Sequence, residues 1–231
     1  MLGTIVNVVA IITGALLGIL IKSGIKEDYK NTIMDGIGLS VVIIGIISGI
    51  ETDNIILIVG SIVLGSVIGE IIGIEEGLDK LGSFMQDKLG KEDSNFSRGF
   101  VTASLVYCIG AMAIVGALES GLAGNHETLF AKSILDGISA IIFASTLGIG
   151  VAFSAIPVLI YQGGITLLAD LVKNILTPII INEISAVGGV LILAIGINIL
   201  NIKKIRVGNM LPAVFIPIIY YIILDAIALI R

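Results

Sequence analysis

The chain has 231 residues, 56% of them hydrophobic and 13% charged, with a mean hydropathy of +1.12. A soluble domain of this size cannot hide that much apolar surface, so the composition points to a multi-spanning membrane protein with a lipid bilayer as its partner. The net charge of −5 comes from scattered acids without a basic stripe, which argues against nucleic-acid binding.

The apolar-polar alternation of an outer-membrane barrel is absent, so the expected fold class is all-α. A polytopic membrane helical bundle should fill residues 1–231 as one domain. Hydropathy divides it into about eight spans near Gly3–Ile21, Ile33–Ile50, Ile55–Ile74, Gly99–Leu118, Ser133–Val151, Ala155–Val172, Ile184–Leu200 and Gly208–Ile230. The opening MLGTIVNVVAIITGALLGILIK lacks a positive start and a cleavage site, and reads as a retained first helix. Gly14-x-x-x-Gly18, Gly45-x-x-x-Gly49 and Gly65-x-x-x-Gly69 mark close helix packing in the first three spans.

The third loop, residues 75–93, carries Leu78, Leu81, Phe84, Met85 and Leu89 at helical spacing opposite acids and lysines. This reads as an amphipathic helix on the cytoplasmic interface, with partner binding as the alternative. In the fourth span the lone Cys108 excludes an intrachain disulfide and reads as a small core residue.

The central stretch from Ala131 to Lys173 is charged only near its ends, and its length suits two crossings with a tight turn near Phe153 to Pro157. Its second half brings Gln162, Gly163 and Gly164 to membrane depth. There the helix is expected to break and to offer backbone oxygens to a transported solute or a sodium ion.

Lysine and arginine set the orientation, because they concentrate in short cytoplasmic loops. They cluster in the first loop (Lys22, Lys26, Lys30), the third (Lys80, Lys88, Lys91, Arg98) and the seventh (Lys203, Lys204, Arg206), which places both termini outside. Spans two and five open alike, with TIMDGIGLSVVIIG beside SILDGISAIIFAST. An inverted repeat of three spans, two to four and five to seven, follows from that likeness, an arrangement common in transporters.

Four acids stand out. The topology could bring Asp35 near Glu70 on the inner side and Asp136 near Asp170 on the outer side, as a cation path. The plainer reading puts Asp35 and Asp136 in first helical turns, where the helix dipole favours them, and lets Glu70 and Asp170 reach interfacial water. Asn7, Asn198, Asn209 and Gln162 should face the bundle interior, either as structural hydrogen bonds or as solute ligands. His126, with Glu119 and Glu127 nearby, reads as an isolated surface histidine rather than a metal ligand. No nucleotide loop, zinc signature or serine-histidine-acid arrangement occurs, so neither an enzyme nor a resident cofactor is expected.

Several strings together carry a resemblance: GALESGLAGNHETLFAKSILDGISAIIFASTLGIGVAFSAIPVLIYQG, then SAVGGVLILAIGINIL and NMLPA, with Asn7 and Gly69-Glu70 earlier in the chain. The chain resembles the bacterial domain-of-unknown-function 554 family of integral membrane proteins. That resemblance implies a multi-pass protein of the bacterial cytoplasmic membrane, loosely described as a transporter or sodium channel, and supplies no established ligand residues. The functional expectation is therefore a small transporter or ion-conducting protein, sodium- or proton-coupled and independent of ATP, with a homodimer as the expected assembly. A membrane scaffold acting through partners is the alternative, and a membrane-embedded enzyme comes third.

Overall fold

A computed structural model describes residues 1–22, 27–78, 80, 84, 96–108 and 111–230. Its regular structure is helical throughout these residues. In chain order the helices are α1 (Leu2–Lys22), α2 (Glu27–Gly49), α3 (Ile55–Ile72), α4 (Phe96–Cys108), α5 (Ala111–Leu122) and α6 (Glu127–Leu147). They continue as α7 (Gly150–Phe153), α8 (Ala155–Leu167), α9 (Ala169–Val172) and α10 (Pro178–Ile199), then a 3₁₀ segment (Val207–Phe215) running into α11 (Ile216–Ile230). Among the described residues seven helical segments are long and apolar enough to cross a bilayer, and eight if α4 and α5, bent by 58°, form one broken span.

Three helix pairs organise the bundle, each closed by glycine. α1 and α6 run parallel: a Cβ on Gly14 would stand 2.2 Å from the Gly137 carbonyl oxygen, and one on Gly18 2.3 Å from that of Ile141. α2 and α10 run antiparallel, with Gly45 against Leu193 and Gly49 against Gly189. α3 packs antiparallel on the 3₁₀ segment, where a Cβ on Gly69 would come within 1.9 Å of the Asn209 carbonyl oxygen. All three expected glycine faces are thus helix contacts, as required where dispersion rather than water exclusion joins helices.

α10 is the hub and is buried along most of its length, whereas the last span is largely exposed. Elsewhere Ile5, Val9, Leu16, Ile56, Val63 and Ile223 point outward, as expected when the solvent is hydrocarbon. The end of the bundle that holds the starts of α1, α6 and α10 is here the upper end, and the opposite end the lower. At the upper end Thr177 caps α10 ahead of Pro178 by accepting a bond from the Ile180 amide.

Two expectations about winding need correction. The turn within the central stretch lies at Gly148, with φ of +80°, and not at Phe153 to Pro157. Glycine supplies that conformation without strain, whereas Pro157 fits in the first turn of α8, where its missing N–H would have had no intrahelical partner. Secondly, α8 is unbroken through Gln162, Gly163 and Gly164, and the Gly164 carbonyl accepts a regular bond from Leu168 at 2.9 Å. Each glycine costs a helix about 1 kcal/mol, whereas a bare carbonyl at membrane depth costs several, so the helix stays wound.

The irregular winding occurs instead in the last span, whose first nine residues form the 3₁₀ segment around Pro212. Few 3₁₀ runs exceed four residues. Within the third loop Glu76 and Lys80 form an exposed i,i+4 ion pair of 2.7 Å. Leu81, Met85 and Leu89 of the expected amphipathic helix lie outside the described residues, as do Lys26, Lys88, Lys91 and Arg231.

Candidate functional site

Helical periodicity places Thr4 and Asn7 on one face of α1, Lys132, Asp136 and Ser139 on one face of α6, and Gln162 and Thr166 on one face of α8. The opposite face of α6, including Ile134, Leu135, Ile138 and Ile142, is exposed. Burial of the polar face then follows from the glycine-closed contact with α1.

These side chains meet in one cluster near the upper end. Asn7 and Gln162 are 0% exposed, Asp136 6% and Lys132 7%. The Lys132 ammonium donates to Asp136 Oδ2 at 2.6 Å, and the Asn7 amide nitrogen donates to that same oxygen at 3.0 Å. Asn7 gives its second proton to Gln162 Oε1 at 3.1 Å. Thr4 and Thr166 hydroxyls lie 3.5 Å apart, and Lys132 Nζ stands 6.0 Å from the centre of the Tyr107 ring of α4. With a rise of 1.5 Å per residue, Asn7 and Gln162 lie about 8 Å inside the upper ends of their helices, and Asp136 about 14 Å inside its own.

Among the described residues two atoms of this cluster have no partner: Asn7 Oδ1, an acceptor, and Gln162 Nε2, a donor. Both of Asn7's donor protons are already given away, so turning its amide around would set an oxygen against the Asp136 carboxylate. The buried charges are neutralised as a pair, which removes most of the several kcal/mol that each lone ion would cost. What remains open is one acceptor and one donor.

A second group lies at the lower end. Glu70 accepts from Arg206 and from the Asn209 amide, each at 2.6 Å. Asn209 Oδ1 accepts from the Glu75 amide at 2.7 Å, and Glu75 Oε2 accepts from the Gly208 amide at 2.7 Å. A cavity of about 330 Å³ beside them is walled by Glu70, Glu75 and Glu76 together with Lys204 and Arg206. The Lys80 ammonium holds the exposed Glu76 carboxyl below the usual glutamate range.

The expected acid pairs do not form. Asp136 pairs with Lys132, while Asp170 pairs at the surface with Lys173 at 3.0 Å, its side chain 84% exposed. Asp35 is exposed on α2 and has no polar partner among the described residues, and Glu70 turns to Arg206. Nor do Asp35 and Asp136 sit in first turns, since their helices start at Glu27 and Glu127. Gly163 lies in the α8 wall beside the cluster, where a Cβ would be 3.5 Å from Met1 Cε and 3.9 Å from Thr4 Cγ2; one on Gly164 would meet nothing within 4 Å.

Two buried groups went unnoticed in the sequence. Lys132 reads there as a flanking charge, although its i,i+4 relation to Asp136 was visible. Glu183 is 1% exposed inside α10 and accepts from the Thr52 hydroxyl at 2.7 Å. The Thr177-Pro178 helix-start signal would have put it inside the span. Asn198 uses its amide to hold the loop that follows α10, exchanging bonds of 2.8 and 2.7 Å with the Ile205 backbone. His126 bonds to Ser120 at 2.9 Å, and no metal-ligating group of three occurs among the described residues.

The family profile described as "Protein of unknown function (DUF554)" matches residues 2–222. The chain belongs to the DUF554 family. Among its relatives, the "Uncharacterized membrane protein YdfK" of Bacillus subtilis (strain 168) is 37% identical over 235 residues, covering 99% of each chain. The "Uncharacterized protein YqgA" of Escherichia coli (strain K12) is 33% identical over 220 residues, covering 93% of this chain and 94% of that one. No solved structure matches. This DUF554 protein is accordingly a multi-pass membrane protein with bacterial homologues.

Proposed function

We propose that this DUF554 protein is a small transporter or ion-conducting protein of the bacterial cytoplasmic membrane. It moves a small ion or solute without ATP, coupled to sodium or protons, through the site formed by Asn7, Lys132, Asp136 and Gln162. The observation that carries this reading is the pair of unpartnered buried amide atoms, Asn7 Oδ1 and Gln162 Nε2, beside a neutralised ion pair at membrane depth. A solute that both donates and accepts hydrogen bonds would satisfy both, recovering about 1–3 kcal/mol for each group otherwise left bare.

The topology proposed with it has eight crossings. α1 and α6 run parallel, so an odd number of crossings separates them, which requires α4 and α5 to count as one broken span beside α2 and α3. Both termini then lie at the upper end, and Lys80, Arg98, Lys203, Lys204 and Arg206 at the lower. By the positive-inside rule the lower end is cytoplasmic. An inverted repeat of spans two to four and five to seven would map the α2–α10 pair onto α6 with α4 and α5, and both sets of helices are in contact.

The test is flux in proteoliposomes, read with a sodium tracer and a pH-sensitive dye. Wild type should carry at least one of the two ions above the rate of empty vesicles. The double substitution Lys132→Met with Asp136→Leu, which removes both charges together, should lose it at least tenfold. An undiminished rate in that variant would reject the site, and no sodium or proton flux in wild type would reject the proposed coupling.

A further inference from the structure

The lower end holds a larger cavity, of about 460 Å³, between the start of α4, the last turns of α10 and the loop after α10. Three of its lining side chains are cations: Arg98, Lys203 and Lys204. Among the described residues its one lining carboxylate is Glu75, which already accepts from the Gly208 amide. The apolar part of the wall comes from Leu78, Val101 and Ile195.

The three cations have no ion-pair partner among the described residues. Arg98 is half-buried and donates from one guanidinium nitrogen to the Asn198 carbonyl oxygen, a neutral acceptor that fixes its direction. Lys204 also borders the neighbouring acidic cavity, but the acids there are engaged: Glu70 with Arg206 and Asn209, Glu76 with Lys80. The rim is preformed, because Asn198 clamps Ile205 through both its amide atoms and Asn201 turns the chain with φ of +55°. A mainly cationic, partly apolar hollow of this size is within the range that encloses a small ligand.

We infer that this cavity binds a phosphate-bearing anion, with the phosphate held between Arg98, Lys203 and Lys204 and its glycerol-like remainder against Val101 and Ile195. Guanidinium forks match phosphate oxygens in pairs, and two ammonium groups add point charge without demanding a fixed geometry. Basic pockets at a bundle end also suit anionic lipid headgroups. The same chemistry serves a soluble phosphate ester. This inference is independent of the solute site at the upper end.

Purified full-length protein is to be placed in phosphatidylcholine nanodiscs and titrated with glycerol 3-phosphate by calorimetry. In parallel, native mass spectrometry from detergent compares retention of phosphatidylglycerol with phosphatidylcholine. Saturable glycerol 3-phosphate binding supports a soluble ligand, and preferential phosphatidylglycerol retention supports a lipid headgroup. In either arm Lys203→Ala with Lys204→Ala, both exposed side chains, should weaken the signal at least tenfold, and Arg98→Gln further. Absence of both signals, or a signal undiminished in the lysine double variant, overturns the inference.

Discussion

The upper and lower ends of the bundle solve the problem of polar atoms near hydrocarbon in opposite ways. At the upper end Asn7, Asp136 and Gln162 project from regular helices, and the winding is undisturbed while two side-chain atoms are left without partners. At the lower end the backbone itself departs from α geometry over Val207–Phe215, yet Glu70, Glu75 and Asn209 are tied to one another and to Arg206 and Gly208. A broken helix is therefore no sign of unpartnered polar side chains in this protein.

The largest effect should come from Lys132→Ala alone, which strands the Asp136 carboxylate in the upper cluster. Expected is a loss of about 3–5 kcal/mol. Denaturation in mixed micelles measures it, and the paired Lys132→Met, Asp136→Leu protein should return to within about 1–2 kcal/mol of wild type or exceed it. If the single variant is as stable as wild type, the ion pair is not buried as described.

Next comes the lower seam. Gly69→Ala drives a Cβ into the Asn209 carbonyl and should cost about 1–3 kcal/mol through backbone displacement, seen in the same assay. Glu70→Gln, by contrast, removes an ion pair whose side chains are 65% and 58% exposed. It should change stability by at most about 1 kcal/mol. Smallest of all, Gly164→Ala faces open space in an unbroken helix and should be neutral or stabilising by up to about 1 kcal/mol. A severe loss there would mean that α8 needs to bend at Gly164.

Much of this was readable in advance, and what was not has a physical cause. Hydropathy located α1 to within a residue at either end, because α1 carries no charged residue before Lys22. It set the starts of α2 and α6 six residues late, since Glu27 to Thr32 is a polar stretch and Glu127 to Lys132 is bounded by two charges that lower its mean hydropathy. Asn7, Asp136 and Gln162 could each be singled out as polar residues at depth. That they touch could not be known, because Asn7 and Gln162 are 155 positions apart and no local period connects them. The 3₁₀ segment left only Gly208 and Pro212 as traces, and both occur in ordinary membrane helices as well.

The most direct measurement is a paired one on Gln162→Leu: unfolding in mixed micelles and sodium or proton flux in proteoliposomes, each beside wild type. The substitution removes an amide whose nitrogen has no partner but whose oxygen accepts from Asn7, so the stranded Asn7 proton should cost about 1–3 kcal/mol of stability. Flux per folded molecule should fall at least tenfold. Unchanged flux from the folded variant would contradict the placement of the solute at Gln162.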